Sequence, residues 1–394
     1  MKVLMVSNVY THPSDMGNRQ RIYRECCQMK KLGWEIDFLY YGGKIGVYVD
    51  EMKMFFGKGH FYYANKTNIA PIYQLKSIVR NYLDKKRLSR YISLYYNADE
   101  WFYKELDDKI ETLLQKEKYD AVWLQYSYQS RILKNVDKNI LTIIDTHDIF
   151  AYRNRMFQKK GRIPEGFYMT KRQEKVSLSR ADLIVAIQSE EEKYFQKLMK
   201  SSPTRCITLG DMVEFYKSNS GEDMVFGFIG AENDANVVGV QWMVKEVLPI
   251  IYKMEPESKC VIAGGICNLI EDNKYYTKLG KVRTLQEYYD LISVAINPIQ
   301  NGTGLNIKGI EALSYGKPLV STVIGAKGLS DAAGAMQVCE DAEQFARQVV
   351  ILLKDRQKRL SMCRQAEKFI YMYNEKNRNT LLKIEEMAIE KSKR

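Results

Sequence analysis

The stretch NPIQNGTGLNIKGIEALSYGKPLVSTVIGAKG, residues 297–328, decides how the chain is read. A strand ends at Asn297-Pro298, and a loop holding Gly302, Thr303 and Gly304 opens directly into a helix. Backbone N–H groups left free at such a helix start, with the positive end of the dipole behind them, favour phosphate. Lys308 falls within the first turn or so and adds a positive charge suited to a diphosphate. Glu311, three residues on, shares its helical face; a carboxylate there suits bidentate hydrogen bonding to vicinal hydroxyls such as a ribose diol. A second glycine turn, Gly325-Ala326-Lys327-Gly328, follows a strand at 318–322. Glycines mark strand–helix turns in any α/β fold, so a lone Gly-x-Gly decides little by itself. The lysine pattern of a P-loop is absent.

Outward from this stretch the same alternation repeats. Apolar runs at 225–230, 259–263, 294–297, 318–322 and 335–339 alternate with helical patterns, among them 237–254. Upstream, runs at 3–6, 36–41, 121–126, 140–145 and 183–187 are separated by long helical patterns. The first of these patterns runs from about Arg19 to Leu32 and stops at Gly33. Continuous rather than alternating apolar runs mark strands buried on both faces, hence parallel sheets covered by helices. The run SNSGED at 218–223 has linker composition. The chain therefore divides into residues 1–215, residues 216–365 and a basic helical tail at 366–394.

A chain of 394 residues suits two domains, and 45% hydrophobic with 27% charged residues excludes disordered and fibrous classes. No stretch reaches the roughly 18–20 uncharged apolar residues that span a bilayer. The start, MKVLMVSNVYTHPSD, lacks the pattern of a secretory signal. Seven scattered cysteines form neither a disulfide framework nor a zinc pattern. The expectation is a reduced, cytoplasmic protein with no metal site. Its formal charge of +12 is unevenly placed: residues 1–200 hold 35 basic and 24 acidic side chains, 201–350 hold 13 and 18, and 351–394 hold 12 and 6. Such a split points to two differently charged bodies, with the tail sharing the sign of the first. Within the first half, residues 72–96 carry six basic side chains against one acid, with apolar residues at 75, 78, 79, 82 and 83 and tyrosines at 91, 95 and 96. A basic amphipathic helix of this kind lies on an anionic membrane surface, or else packs on its own domain as an ordinary surface helix.

Two segments of the first half hold candidate site residues. Asp145-Thr146-His147-Asp148 follows the strand at 141–144, at the edge where open α/β sheets bind ligands. The flanking carboxylates would fix the His147 tautomer or raise its pKa, and a purely structural Asp145–His147 pair is the plain alternative. The loop from Ser7 to Arg21 follows the first strand. Gly17 and Asn18 there permit close approach of backbone to a ligand, and Arg19 and Arg21 are offered to phosphate. His12 and Asp15 share the loop, but no spacing selects either as a base.

The sequence GTGLNIKGIEALSYGKPLVST, with IGAKGL after it, resembles the donor-site signature of family-4 retaining glycosyltransferases of GT-B architecture. The runs IIDTHDIFAYR and ADLIVAIQSEEEKYF resemble the N-terminal half of a bacterial, cell-envelope subgroup, and similarity extends over nearly the whole chain. The resemblance implies an α/β fold of two Rossmann-like domains whose parallel sheets face across a cleft, with a C-terminal helix returning to the N-domain. It implies that the C-terminal domain binds a nucleotide-sugar and the N-terminal domain an acceptor. Glu311 matches the second glutamate of the family's Glu-x7-Glu motif, which holds the ribose, and Lys308 matches a diphosphate contact. Gly302, Thr303, Gly304, Leu305 and Asn306 match the loop beneath sugar and phosphates. Gly264, Val282 and Arg283 border the nucleotide. His147 matches a histidine near the transferred sugar, with Asp148, Gly17, Asn18 and Arg19 on the acceptor side. Two departures stand out: Thr303 occupies the place of the first motif glutamate, and Gly230-Ala231-Glu232-Asn233 stands where the family carries a phosphate-binding arginine.

The activity implied is transfer of a sugar from a nucleotide-sugar to a cell-envelope glycan or lipid-linked acceptor, with retention and without a metal. The nucleotide-sugar is then a substrate and no cofactor is called for. An enzyme of this kind would work at the inner face of the cell membrane. The alternative is a non-catalytic GT-B subunit that binds membrane or a partner. A nucleic-acid partner is not expected, because none of the usual recognition motifs is present.

Overall fold

The computed structural model describes residues 1–393 other than 15, 43–47, 66–69, 160, 165 and 302–306. They form two compact units, Met1–Gly210 with Asn377–Arg394, and Asp211–Lys376.

The first unit is built on seven parallel strands: β1 (Lys2–Ser7), β2 (Glu35–Gly42), β3 (Phe61–Asn65), β4 (Ala121–Gln125), β5 (Leu141–Asp145), β6 (Leu183–Ala186) and β7 (Arg205–Thr208). Their order across the sheet is β3-β2-β1-β4-β5-β6-β7. Val3 to Val6 and Ala121 to Leu124 are fully buried, as continuous apolar runs in a sheet covered on both faces require. The chain steps outward from β1 in one direction and from β4 in the other, so the C-terminal ends of β1 and β4 flank a topological switch point, the usual crevice of such sheets, with β5 next to β4. The helix Gly17–Lys31 feeds back from this edge and is terminated by Gly33, whose φ of +80° supplies the left-handed turn.

The second unit repeats the plan with six strands: β8 (Val225–Ile229), β9 (Lys259–Ala263), β10 (Thr277–Gly280), β11 (Val294–Asn297), β12 (Leu319–Thr322) and β13 (Met336–Cys339). They run parallel in the order β10-β9-β8-β11-β12-β13, which puts the switch point between β8 and β11. The helical stretch expected at 237–254 is Asp234–Trp242, a π turn over Met243–Val247, and Leu248–Met254. Pro249 lacks an N–H and crowds the carbonyl four residues back, which accounts for the opened ladder just before it.

The chain is thus an α/β protein with two Rossmann-like parallel sheets. Its last helix, Arg356–Ser392, belongs to the second unit as far as Lys376 and to the first from Asn377 onward. There Asn377 Oδ1 accepts the Gly210 N–H at 2.7 Å and Lys391 pairs with Asp182, so the basic tail returns to the first unit. Strands β3, β7 and β10 are missing from the sequence reading. All three are edge strands, short and exposed on part of their faces, so they lack the buried apolar run that reveals a central strand.

The segment 72–96 is not one helix. It is helical over Pro71–Lys85, breaks at Arg87 with φ +58°, and turns once more at Leu88–Arg90. Tyr95 and Tyr96 turn inward, where Tyr96 packs against Phe167 at 4.6 Å and Trp101 at 5.4 Å between ring centroids.

Candidate functional site

In the first unit a polar network lies buried at the C-terminal ends of β4 and β5. Gln125 and Asp145 end these strands and pair in register. The helix Gly17–Lys31 presents Arg21 and Glu25, one turn apart, on its buried face. Arg21 donates to both Asp145 oxygens at 3.0 and 3.1 Å and to the Leu209 carbonyl at 3.0 Å. Burial, and then the Asp145 carboxylate beside it, push the Glu25 carboxyl well above its usual range. Glu25 Oε2 accepts the Gln125 amide at 2.8 Å. The second amide hydrogen of Gln125 faces Met5 Sδ at 3.3 Å. Gln125 can then offer only its carbonyl oxygen to His147 Nε2.

This chain of bonds fixes the histidine. His147 carries its proton on Nε2, and Nδ1 keeps its lone pair. Burial lowers its pKa from 6.5 to about 4, against the opposing pull of Asp145, so the ring is neutral at physiological pH. The expected rise is thus reversed in sum: Asp145 Oδ2, 3.7 Å away and paired with Arg21, pulls upward but is outweighed by burial, while Asp148 points to Arg153 at 3.3 Å and accepts the Ile149 N–H at 2.8 Å. The imidazole stacks on Tyr126 at 4.2 Å, and Tyr126 O–H meets Asn18 Nδ2 at 3.4 Å. Both stacked residues lie in the left-handed region, His147 at φ +51° and Tyr126 at +63°. Such backbone costs roughly 1–3 kcal/mol per residue and persists where surrounding structure enforces it, commonly at functional sites. Glu174 provides part of that enforcement. Its carboxyl, pushed up to about 7 by burial, accepts the N–H groups of Phe150 and Ala151 at 2.7 and 3.1 Å and the Tyr194 hydroxyl at 2.6 Å.

The loop after β1 behaves differently from expectation in one respect. Arg21 is 2% exposed and committed to Asp145, so it is not offered to a ligand phosphate. Arg19 donates to Tyr10 O–H at 2.7 Å and lies over that ring at 4.1 Å. Gly17 is exposed at the helix start, behind Met16, which gives no side-chain cap. His12 packs between Tyr23 and Phe55. Asp15 lies outside the described residues.

In the second unit the site is built around the helix Ile307–Ser314 after β11. Glu311 is 8% exposed and accepts the Tyr289 hydroxyl at 3.1 Å. Tyr289 comes from the helix Leu285–Leu291, is itself buried, and stacks on Tyr315 at 4.5 Å. Burial and the neighbouring Glu311 hold Tyr289 in its protonated, donating form. Lys308 shares the helical face with Glu311; burial lowers its pKa, offset in part by that carboxylate. Gly309 lets this helix sit tightly, since a Cβ there would lie 2.5 Å from Leu329 Cδ1. At the ends of β8 and β9 the backbone of Gly230 and Gly264 come together: Gly264 has φ +86°, and a Cβ on it would stand 2.4 Å from the Gly230 carbonyl oxygen. The result is a floor without side chains at the switch-point edge. Val282 is half-buried, whereas Arg283 is exposed and pairs with Glu287 on its own helix turn. Gly302, Thr303, Gly304, Leu305 and Asn306 lie outside the described residues.

Two other features lie at the opposite, N-terminal edges of the sheets. A cavity of about 310 Å3 in the second unit is walled by Ser293, Tyr315, Lys317 and Cys363. Among the described residues, Glu35, Asp37 and His60 converge as metal-type ligands, but Lys2 Nζ sits 2.9 Å from Glu35 and 3.8 Å from Asp37, supplying the balancing charge. Gln125, Glu25, Glu174 and Tyr289 are absent from the sequence reading. One signal was available for Glu25: with Arg21 it falls inside the stripe formed by Ile22, Cys26 and Met29, where a charged pair is out of place.

Residues 223–355, the segment that carries Gly264, Lys308 and Glu311, match the family model for glycosyl transferases group 1. Over 375 residues, 89% of this chain and 90% of the relative, the sequence is 22% identical to an uncharacterized 44.6 kDa protein in the cps region of Klebsiella pneumoniae. Among solved structures, TarM is 13% identical with a TM-score of 0.68, covering 97% of this chain and 98% of that one. Sucrose-phosphate synthase from Thermosynechococcus elongatus is 12% identical with a TM-score of 0.67, covering 98% and 99%. The pneumococcal O-GlcNAc transferase GtfA, solved with UDP and GlcNAc, is 10% identical with a TM-score of 0.66, covering 99% of each chain. Likenesses at this identity speak for the fold, which is of the GT-B kind.

Proposed function

We propose that the chain is a glycosyltransferase that moves a sugar from a nucleotide-sugar, held by the second unit, to a cell-envelope glycan or lipid-linked acceptor handled by the first. The observation that carries this reading is Glu311, buried and oriented by Tyr289, with Lys308 on the same face of a helix inside the segment matched to glycosyl transferases group 1. A carboxylate so held accepts two adjacent hydroxyls, as a ribose presents. The Lys308 ammonium is disfavoured by burial until an anion arrives, and a diphosphate restores its balance. When the sugar leaves, negative charge grows on that diphosphate, and Lys308 with the amides of the helix start stabilises it without a metal. The neutral His147, proton on Nε2, offers Nδ1 as an acceptor for a sugar hydroxyl. Retention of configuration rests on the family resemblance, and no resident cofactor is called for.

A second reading, a subunit that binds the donor without turning it over, draws on Thr303 in place of the family's first glutamate. Thermal-shift measurements with UDP-, GDP-, dTDP- and CMP-sugars separate the readings. The expected result is stabilisation by one nucleotide class; at a hundredfold excess over Kd this amounts to about 2.7 kcal/mol. When a glycan acceptor is added to take the sugar on one of its hydroxyls, release of the nucleotide accompanies transfer in an enzyme and is missing in a binding subunit. No shift with any of the four would remove the donor site.

A further inference from the structure

We infer that the helix Pro71–Lys85 is a docking element for an anionic lipid surface. The orientation of this helix is the reverse of that of an ordinary surface helix, which buries its apolar stripe. Here the one buried residue is Arg80. Its guanidinium donates to Glu100 at 2.8 Å and to the Leu94 carbonyl at 3.2 Å, and lies 3.5 Å from the centre of the Tyr96 ring. A buried, paired charge thus fixes which face turns inward. The face turned outward carries Ile72, Leu75, Ile78, Val79 and Tyr82, at 66, 62, 64, 42 and 56% exposure. At 100° per residue these five fall within one third of the helix circumference, a single stripe. The apolar surface continues past the break at Arg87 with Tyr91 at 81% and Ile92 at 53% exposure.

The charges around the stripe select its occupant. Lys76 falls along one border and Lys85 along the other, and Lys86 and Arg87 follow, both exposed; Asp84 is the one acid between residues 72 and 96. An apolar stripe bordered by cations matches a bilayer with anionic headgroups: the side chains enter the acyl boundary while the ammonium and guanidinium groups stay at phosphate level. Among the described residues no helix is long and apolar enough to cross a membrane, so the contact is interfacial. Lipid docking by this helix is independent of whether the second unit turns over a donor.

Vesicle flotation of the full chain tests this, with vesicles of phosphatidylcholine alone and of phosphatidylcholine mixed with phosphatidylglycerol. The wild type should float with the anionic vesicles, and at least about tenfold less with the neutral ones, with binding reduced by salt. Leu75→Asp with Ile78→Asp, and separately Lys85→Glu with Lys86→Glu and Arg87→Glu, should each abolish flotation. All five positions are exposed, and unchanged thermal melting would show that the variants fold. Failure to float with either vesicle, or flotation that survives both sets of substitutions, would overturn the lipid surface as occupant. So would a concentration-dependent dimer in solution that the aspartate pair dissolves, because the stripe would then belong to a second copy.

Discussion

His147 owes its state to residues that never reach its Nδ1. Gln125 presents only an acceptor to Nε2 because Glu25 has claimed its amide, and burial beside Asp145 holds the Glu25 carboxyl well above its usual range. Gln125→Met, similar in shape, leaves the His147 and Glu25 groups unpaired; it should cost about 1–3 kcal/mol of stability. If the first unit positions a sugar as proposed, the variant also lowers kcat more than it changes KM. The pH dependence follows from the same burial. In the folded chain His147 titrates near 4 against an ordinary 6.5, so the folded state binds fewer protons than the unfolded one between those values. Its contribution is complete above pH 6.5 and is lost as pH falls toward 4, up to about 3 kcal/mol by the conversion of pKa shift to free energy. His147→Asn tolerates the left-handed backbone and removes the titration, so its acid unfolding curve, followed by circular dichroism, should lack that loss. On the donor side, Lys308→Ala should lower transfer roughly a hundredfold or more while melting stays cooperative. Lys308, Glu311 and His147 are recognisable as candidates in sequence because each sits just after a strand, in a loop or at a helix start. Gln125 and Tyr289 are not, since each ends or occupies an apolar run and acquires its role only from the neighbour that tertiary packing brings to it.

At the scale of elements, the glycine turns and the anchored helix carry the argument. Gly264→Ala combines a positive φ with a Cβ 2.4 Å from a backbone oxygen, so the turn after β9 must move; a loss of about 2–4 kcal/mol in chemical denaturation, together with weakened donor binding, is expected. Arg80→Ala leaves Glu100, which is 1% exposed, as an uncompensated buried charge. The expected cost is about 3–5 kcal/mol, and hydrogen exchange should show it as faster opening across Pro71–Lys85. The sequence pattern identified this segment as basic and amphipathic but left open which way it faced. Periodicity locates a stripe; it does not say whether a buried ion pair elsewhere on the helix turns that stripe outward. The edge strands were hidden for a related reason, since Thr277–Gly280 has no continuous apolar run to report its place beside β9.

The whole molecule divides its charge as it divides its fold. The unit of residues 1–210 and 377–394 holds 41 basic and 27 acidic side chains, and the unit of residues 211–376 holds 19 and 21. Tail and first unit are joined by the buried side chains of Leu381, Ile384 and Ala388 as well as by Lys391–Asp182. Truncation after Lys376 should therefore destabilise the first unit by roughly 5 kcal/mol, since it removes those apolar side chains and exposes the surface they cover. The claim on which the proposed function depends is that the second unit binds a nucleotide-sugar through Lys308 and Glu311. Calorimetric titration of the full chain with UDP, GDP and dTDP tests it most directly, run beside Lys308→Ala and Glu311→Ala. The account predicts that one nucleoside diphosphate binds the wild type and that each variant weakens it by about thirtyfold, near 2 kcal/mol for a lost charged hydrogen bond. Equal affinity in wild type and both variants, or no binding of any of the three, would contradict it.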